Sequence, residues 1–163
     1  MGWALRRATV DDLEAIMAIE TSTFRSDAWS AEAMRSDLGS VHSFYLVAQR
    51  DDGSKVVDGY AGLLAPAGAE EADSQTIAVA EGARRSGLGR AMMNALIGEA
   101  RKRGVRELFL EVRADNPPAR SLYESLGFEE IATRPKYYQP DGVDAVVMTL
   151  RIPDAETRLA AGA

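Results

Sequence analysis

The stretch TIAVAEGARRSGLGR, residues 76–90, joins a short apolar run to two glycines that stand among three arginines. The apolar run predicts a strand over residues 75–79, and apolar residues at helical spacing predict a helix over residues 87–103. A helix N-terminus presents unpaired N–H groups and a partial positive charge. Gly87 and Gly89 leave those groups accessible because they carry no side chain. The stretch therefore predicts an anion-binding loop in front of a helix.

Two familiar phosphate loops do not fit this stretch. A P-loop requires Lys-Ser or Lys-Thr after its second glycine, and neither pair is present. A dinucleotide fingerprint requires a third glycine where Met92 stands. Glycine spacing alone therefore leaves open a Gly-rich helix start whose arginines are merely solvated.

Composition limits the chemistry. The 163 residues suit one domain, which we expect over residues 1–152 with an Ala-rich tail over 153–163. The formal net charge of −6 argues against nonspecific nucleic-acid binding. The absence of cysteine excludes thiolate nucleophiles and Cys-bound zinc, and the lone His42 lacks a G-x-S-x-G partner motif. We expect no metal site, so catalysis must use carboxylates, tyrosines, lysines or the backbone.

The sequence predicts a cytoplasmic protein without membrane contact. No apolar run approaches the roughly 20 residues of a membrane span. The N-terminal residues MGWALRR also lack the apolar core of a signal peptide.

The order of elements predicts a mixed α/β sheet with helices on its faces, parallel in the middle and antiparallel at the ends. Residues 105–112 are almost continuously apolar, which predicts burial on both faces of the sheet. Residues 65–73 are small and acidic, which predicts a solvated loop containing Glu70, Glu71 and Asp73. The expected strands are 3–7, 44–49, 56–64, 75–79, 105–112, 128–138 and 144–150, and the expected helices are 13–24, 30–38, 87–103 and 115–128.

The pattern R-x-x-G-x-G, placed between a strand and a helix, resembles the acetyl-CoA loop of the GNAT N-acetyltransferase superfamily. The resemblance implies the GNAT acyl-CoA N-acyltransferase fold, with acetyl-CoA as co-substrate. It also implies that the loop amides hold the pyrophosphate and that the preceding strand contacts the pantetheine arm and thioester. The residues so implied are Arg84, Arg85, Ser86, Gly87, Leu88, Gly89 and Arg90 in the loop, Ile77, Ala78 and Val79 in the strand, and Asn116.

A second pattern consists of LEVRADNPPARSLYESLGFEE (110–130) followed by RPKYYQPDGVDAVVM (134–148). This pattern is similar to RimI-type ribosomal-protein-alanine N-acetyltransferases. The similarity covers about residues 75–150. It implies transfer of acetyl to the N-terminal alanine of a small-subunit ribosomal protein, with Glu111 as general base and Tyr123 as general acid. The N-terminal half departs from the pattern at DAWS (27–30), where Pro is expected before Trp-Ser.

The residues themselves allow these roles without requiring them. An α-amine has a pKa near 7.7–8.0, so a base must take its proton before it attacks a thioester. Glu111 stands among apolar residues, and burial would raise its pKa toward the useful range, although an ion pair with an arginine such as Arg113 is the other interpretation. Tyr123 could equally pack in the core with its hydroxyl bonded, and Asn116 could serve as a helix N-cap.

The acceptor remains open at this stage. The resemblance implies that Trp29, Tyr137 and Tyr138 line the acceptor site, whereas sheet or core packing is the ordinary use of such residues. A small amine or a lysine is an alternative acceptor to a protein N-terminus. A module that binds acetyl-CoA without transferring acetyl is the alternative from another class.

Overall fold

Seven strands form one mixed sheet in the order β1-β2-β3-β4-β5-β7-β6. The computed structural model describes residues 2–153, so the tail predicted over 153–163 lies, apart from Pro153, outside the described residues. Within that range β4 and β5 pair in parallel and every other neighbouring pair is antiparallel, which confirms the predicted mixed sheet. The strands are β1 Trp3–Arg7, β2 Ser43–Arg50, β3 Val57–Leu64, β4 Glu71–Val79, β5 Glu107–Arg113, β6 Glu129–Tyr138 and β7 Val143–Arg151.

In residues 2–153 four α-helices flank this sheet, and local caps fix where three of them begin. The helices are α1 Leu13–Phe24, α2 Ala31–Leu38, α3 Leu88–Lys102 and α4 Pro117–Ser125. The Thr9–Asp12 capping box starts a single 3₁₀ turn, Val10–Asp12, that leads directly into α1. Ser30 caps α2 by accepting a hydrogen bond from the Ala33 N–H. Asn116 caps α4, as predicted, by accepting from the Ala119 N–H at 3.3 Å.

The two faces of the sheet carry separate apolar clusters. The larger cluster packs α3 and part of α4 against β2 to β5 and β7. The smaller cluster packs α1 and α2 against residues of β2, β3 and β4 alone. The second face is therefore covered over its β2–β4 half, and the β5–β7 half of that face contributes nothing to the cluster.

This unequal cover corrects the prediction that residues 105–112 are buried on both faces. In β5 the residues Leu108, Leu110 and Val112 are buried on the α3 side, whereas Phe109 is half-buried and Glu111 is exposed. The apolar run indicated a two-sided strand, but the side that carries Phe109 and Glu111 lies beyond the α1–α2 cover. The burial alternates with the period of two that a one-sided strand shows.

The prediction that residues 65–73 form a loop is wrong at its end, since β4 begins at Glu71. The first residues of β4 are polar or small, so their pattern did not indicate a strand. Pairing with β3 on one side and β5 on the other holds this part of β4 in place. Further along β4, Ala61 pairs with Ile77 and Leu63 with Ser74, so β4 carries one extra residue there. This bulge reverses the alternation, and the side chain of Ala78 joins the α1–α2 cluster.

Strands β4 and β5 separate toward their carboxyl ends. Their pairing comprises three residue pairs and ends at Asp73 and Phe109. Beyond that point β4 stays paired with β3 as far as Val79, and β5 stays paired with β7 as far as Arg113. The sheet therefore opens in a wedge, and ligands of α/β sheets bind beyond strand ends of this kind.

Candidate active site

The glycine loop lies where β4 turns into α3, at the mouth of the wedge. Gly87 is the N-cap of α3 with φ of 86°, and no side chain caps the first turn. A Cβ at Gly87 would meet no atom within 4 Å, so backbone conformation requires glycine here, not lack of space. The free N–H groups of the α3 first turn therefore face outward, as an anion site requires.

The predicted loop side chains divide into different environments. Arg85, with φ of 63°, and Ser86 are exposed, whereas Leu88 is buried and can offer a ligand only its backbone. Arg84 donates to the Val79 carbonyl at 3.0 Å. Arg90 donates to Ser125 at 2.8 Å and so links α3 to α4. Within residues 2–153 Arg85 forms no ion pair, so its charge is available to an anionic ligand.

The backbone of β4 offers a donor to the wedge. The Ala80 N–H donates to the Asp58 carbonyl of β3 at 2.7 Å. Successive N–H groups of an extended strand point to opposite sides, so the Val79 N–H points away from β3 and toward β5. Val79 therefore directs a backbone donor into the wedge, where the resemblance implies the thioester oxygen.

Glu111 lies on β5 beside the wedge, and the expected burial is not found: the residue as a whole is exposed and its side chain keeps 29% of its exposure. Its Oε1 atom lies 3.4 Å from Nε of Arg134. The interpretation that pairs it with Arg113 is also wrong, because Arg113 pairs with Asp27, Asp115 and Asp141. Strand register places Arg134 within reach, since Arg134 lies opposite Ala145 in β7, two residues along β7 from Val147, the partner of Glu111.

Tyr123 combines core packing with a free hydroxyl. Its side chain is 7% exposed and its ring meets the edge of Phe128 at a centroid distance of 5.9 Å. Residues 2–153 supply no recorded hydrogen bond to the Tyr123 hydroxyl. Burial, with the nearby Tyr138, raises the pKa of Tyr123 above its usual range. The phenol therefore keeps its proton at neutral pH and can donate it.

Tyr138 connects the predicted residues into one group. Burial and then the charge of Glu111 raise the pKa of Tyr138 to about 12. Tyr137 is 48% exposed, and hydrogen bonding with Glu111 raises its pKa. The two tyrosine rings meet edge-on at 5.1 Å. Glu111, Tyr123, Tyr137 and Tyr138 thus lie close together although they come from three different elements.

Two other predicted site residues, Trp29 and Asn116, also make contacts that stabilise the fold. Trp29 packs against the α1–α2 cluster, and its backbone N–H donates to the buried Glu20 at 2.9 Å. Asn116 uses its side-chain oxygen in the α4 cap, which leaves its NH₂ group available as a donor. Their roles toward acceptor and cofactor remain predictions.

Asp73 belongs to this site, and sequence reasoning missed it. Asp73 lies opposite Phe109, so its side chain shares the face of Glu111 two residues further along β5. Asp73 is exposed, yet partial burial and then the charge of Glu111 raise its pKa. A longer prediction for β4 would have placed it here.

We expect Asp73→Asn to raise the melting temperature at pH 7 by about 1–2 °C, a small change typical of relieving one unfavourable surface charge. A carboxyl whose pKa is higher in the folded state than in the unfolded state destabilises the fold once pH exceeds the unfolded value near 3.9. The gain should therefore be absent at pH 3 and appear above pH 4. Asp52→Asn is the control of opposite sign, because bonding to Ser54 lowers the pKa of Asp52. Thermal unfolding at pH 3 and 7 measures both, and a lower melting temperature for Asp73→Asn at pH 7 would contradict the assignment.

No helix in residues 2–153 is long and apolar enough to cross a membrane. That same part of the chain holds no group of three or more His, Asp or Glu side chains arranged to bind a metal ion.

Comparison with known proteins gives a consistent set of relatives. The model of the acetyltransferase (GNAT) family matches residues 13–128. The chain is 36% identical over 148 residues to the N-alpha-acetyltransferase RimI of Mycobacterium tuberculosis, with 89% of this chain and 88% of the relative covered. It is 52% identical over 85 residues to the ribosomal protein bS18-alanine N-acetyltransferase of Escherichia coli K12, which covers 51% of this chain.

The crystal structure of the ribosomal-protein-S18-alanine N-acetyltransferase from Escherichia coli has the same fold, with a TM-score of 0.83 at 35% identity. That comparison covers 94% of this chain and 96% of the other. The sequence alignments cover less of some relatives, namely 57% of the E. coli enzyme and 38% of the Mycobacterium leprae protein ML0378.

Proposed function

Since this chain belongs to the acetyltransferase (GNAT) family, we propose that it transfers acetyl from acetyl-CoA to the α-amine at a protein N-terminus. The observation that carries the proposal is the wedge between β4 and β5, which brings a phosphate-type loop, a carboxylate and a buried phenol to one end of the sheet. The finer proposal is that the acceptor is the N-terminal alanine of a small-subunit ribosomal protein. The names of the M. tuberculosis and E. coli relatives support it.

The residues of the wedge suit acetyl-CoA binding. The uncapped N–H groups at the start of α3 and the exposed Arg85 fit a pyrophosphate. The open edge of β4 fits an extended pantetheine arm, since its backbone groups there have no strand partner in β5. Once bound, acetyl-CoA supplies the thioester that is cleaved.

The proposed transfer uses three groups of the chain. Glu111 takes a proton from the ammonium group of the acceptor, directly or through water, which frees the nitrogen lone pair. The amine nitrogen forms a bond to the thioester carbon, and the Val79 N–H stabilises the negative oxygen that develops. The carbon–sulfur bond then breaks, and Tyr123 donates its proton to the sulfur. Solvent returns a proton to Tyr123 and removes those left on the amide nitrogen and Glu111.

Gly87→Val should weaken acetyl-CoA binding by at least about tenfold, since strain of 1–3 kcal/mol at a positive φ would displace the loop amides. The matched control is Gly98→Ala in the same helix, where a Cβ meets no atom within 4 Å and φ is not positive. Titration calorimetry with acetyl-CoA measures both variants. Equal affinity for Gly87→Val and the parent protein would remove the loop from the proposed cofactor site.

A small-amine acceptor is the second candidate, and one observation favours it. Asp73 and Glu111 place two carboxylates on the same face of the wedge, and paired carboxylates suit a substrate with several ammonium groups. The exposed Tyr137 beside Glu111 favours the peptide instead, because it offers an open, aromatic surface along β6. The unbonded hydroxyl of Tyr123 argues against a module that binds acetyl-CoA without transferring acetyl, because core packing alone does not require a hydroxyl there.

Acetyl transfer followed by mass spectrometry tests the proposal. The acceptors are a basic peptide that begins with Ala, the same peptide with a blocked N-terminus and an internal Lys, and spermidine. Transfer to the free-Ala peptide alone is the expected result. Transfer only to spermidine or to the blocked peptide would replace the acceptor class, and bound acetyl-CoA without any transfer would favour the binding module.

A further inference from the structure

Arg113 is bonded to carboxylates from three separate segments of the chain. Its Nη1 atom contacts Asp27, which lies between α1 and α2. Its Nε atom lies 3.0 Å from Asp115, just before α4, and its Nη2 atom lies 3.1 Å from Asp141, in the β6–β7 turn. One guanidinium therefore joins the segments that surround the carboxyl end of β5.

The same guanidinium also stacks on a residue of the proposed acceptor site. The Arg113 carbon Cζ lies 5.1 Å from the ring centroid of Tyr138. Tyr138 is coupled electrically to both Glu111 and Tyr123. Arg113 thus stacks on a side chain that lies near the proposed catalytic pair, and within residues 2–153 it bonds to neither Glu111 nor Tyr123 itself.

The segments that Arg113 joins are bonded mainly within themselves, the β6–β7 turn for instance by the Gly142 N–H to the Tyr138 carbonyl at 2.8 Å. Backbone bonds around the segment of Asp27 are local, apart from the Trp29 N–H bond to Glu20. The β6–β7 register is broken between Arg134 and Tyr138, where β6 carries extra residues and Lys136 has φ of 54°. Without the guanidinium, three carboxylates would face one another across these segments and repel.

We infer that Arg113 is a positioning residue for the acceptor: its ion pairs to Asp27 and Asp141 hold the α1–α2 segment and the β6–β7 turn together as the two walls of the acceptor site. The inference rests on the proposed function for the identity of the acceptor, but not for the connection between the walls. The Asp27 pair is the strongest connection, because Asp27 is 13% exposed whereas Asp115 and Asp141 are 55% exposed.

Kinetics with two substrates test this role. Arg113→Lys removes the planar fork and the stacking but keeps the charge, and Asp27→Asn removes one pair. Each variant should raise KM for the Ala-starting peptide about tenfold, because only about a tenth of the free protein then has its walls in the binding arrangement, with KM for acetyl-CoA and kcat within about twofold of the parent values. The double variant should be no worse than Arg113→Lys alone, since Asp27→Asn removes a contact that Arg113→Lys already disrupts.

Arg103→Lys is the matched control. Arg103 likewise pairs with a carboxylate, Glu99 at 3.1 Å, and stacks on a ring, Phe44 at 5.8 Å, but it lies at the end of α3 away from the wedge. It should leave all three kinetic constants unchanged. A parallel rise of both KM values in Arg113→Lys, or a rise in the Arg103→Lys control, would overturn the role.

Hydrogen exchange of the free protein tests the connection whatever the acceptor is. In Arg113→Lys and Asp27→Asn, the backbone N–H groups of residues 25–30, 139 and 141–143 should exchange faster together, while those of α3 stay unchanged. Unchanged exchange in both segments would overturn the inference even if the peptide is acetylated. Failure of the parent protein to acetylate the peptide, with faster exchange in the variants, would overturn the proposed acceptor and leave the connection established.

Discussion

Glu111→Gln is expected to lower kcat for a peptide that begins with Ala by about 10²- to 10⁴-fold, the range over which a positioned general base acts. Glutamine keeps the shape and an oxygen that can accept from Tyr137, so the fold and acetyl-CoA affinity should be unchanged. The measurement is kcat from pH 6 to 10, with acetyl-CoA binding followed by calorimetry. The difference should narrow above about pH 9, because the acceptor α-amine, with a pKa near 7.7–8.0, is then already unprotonated.

Glu130→Gln is the control for this expectation. Glu130 also lies on a strand of this sheet and pairs with an arginine, Arg120, at 3.1 Å. It lies in β6 before the break in register, outside the group around Tyr138. Its substitution should leave kcat unchanged. Equal rates for Glu111→Gln and Glu130→Gln at pH 7 would remove Glu111 from the role of base.

Local signals in the sequence predicted much of the framework. The Thr9–Asp12 box, the Asn116 cap and the glycine at the start of α3 act within a few residues, so each is visible in one sequence. The glycine-containing turn and α3 follow one another in sequence, so local patterns also predicted α3 directly after that turn. Parts of the site built from such signals, namely the glycine-containing turn before α3 and the helix of Tyr123, were therefore predicted in place.

The parts that failed depend on distant pairing. Arg113 and Asp27 are 86 residues apart in sequence, and no local pattern in either segment indicates the other. The exposure of Glu111 depends on how far α1 and α2 extend over the sheet, which the apolar run around it does not report. Asp73 was assigned to a loop because a strand held by two neighbours can be made of polar residues.

Tyr123→Phe is expected to lower kcat by about 10²-fold while leaving acetyl-CoA affinity and the melting temperature nearly unchanged. The hydroxyl has no recorded partner among the described residues, so its removal leaves no buried group unbonded. Tyr60→Phe is the contrasting control, because the Tyr60 hydroxyl bonds the fully buried Glu20 and its loss should lower the melting temperature.

The pH dependence separates the proposed acid from the proposed base. Burial raises the pKa of Tyr123, so the phenol stays protonated across pH 6–9 and the effect of Tyr123→Phe should be constant over that range. The effect of Glu111→Gln should instead shrink as the acceptor amine loses its own proton. If the loss of kcat in Tyr123→Phe also shrank with rising pH, Tyr123 would be assigned to deprotonating the amine. If kcat were unchanged at every pH, solvent and not Tyr123 would protonate the departing sulfur.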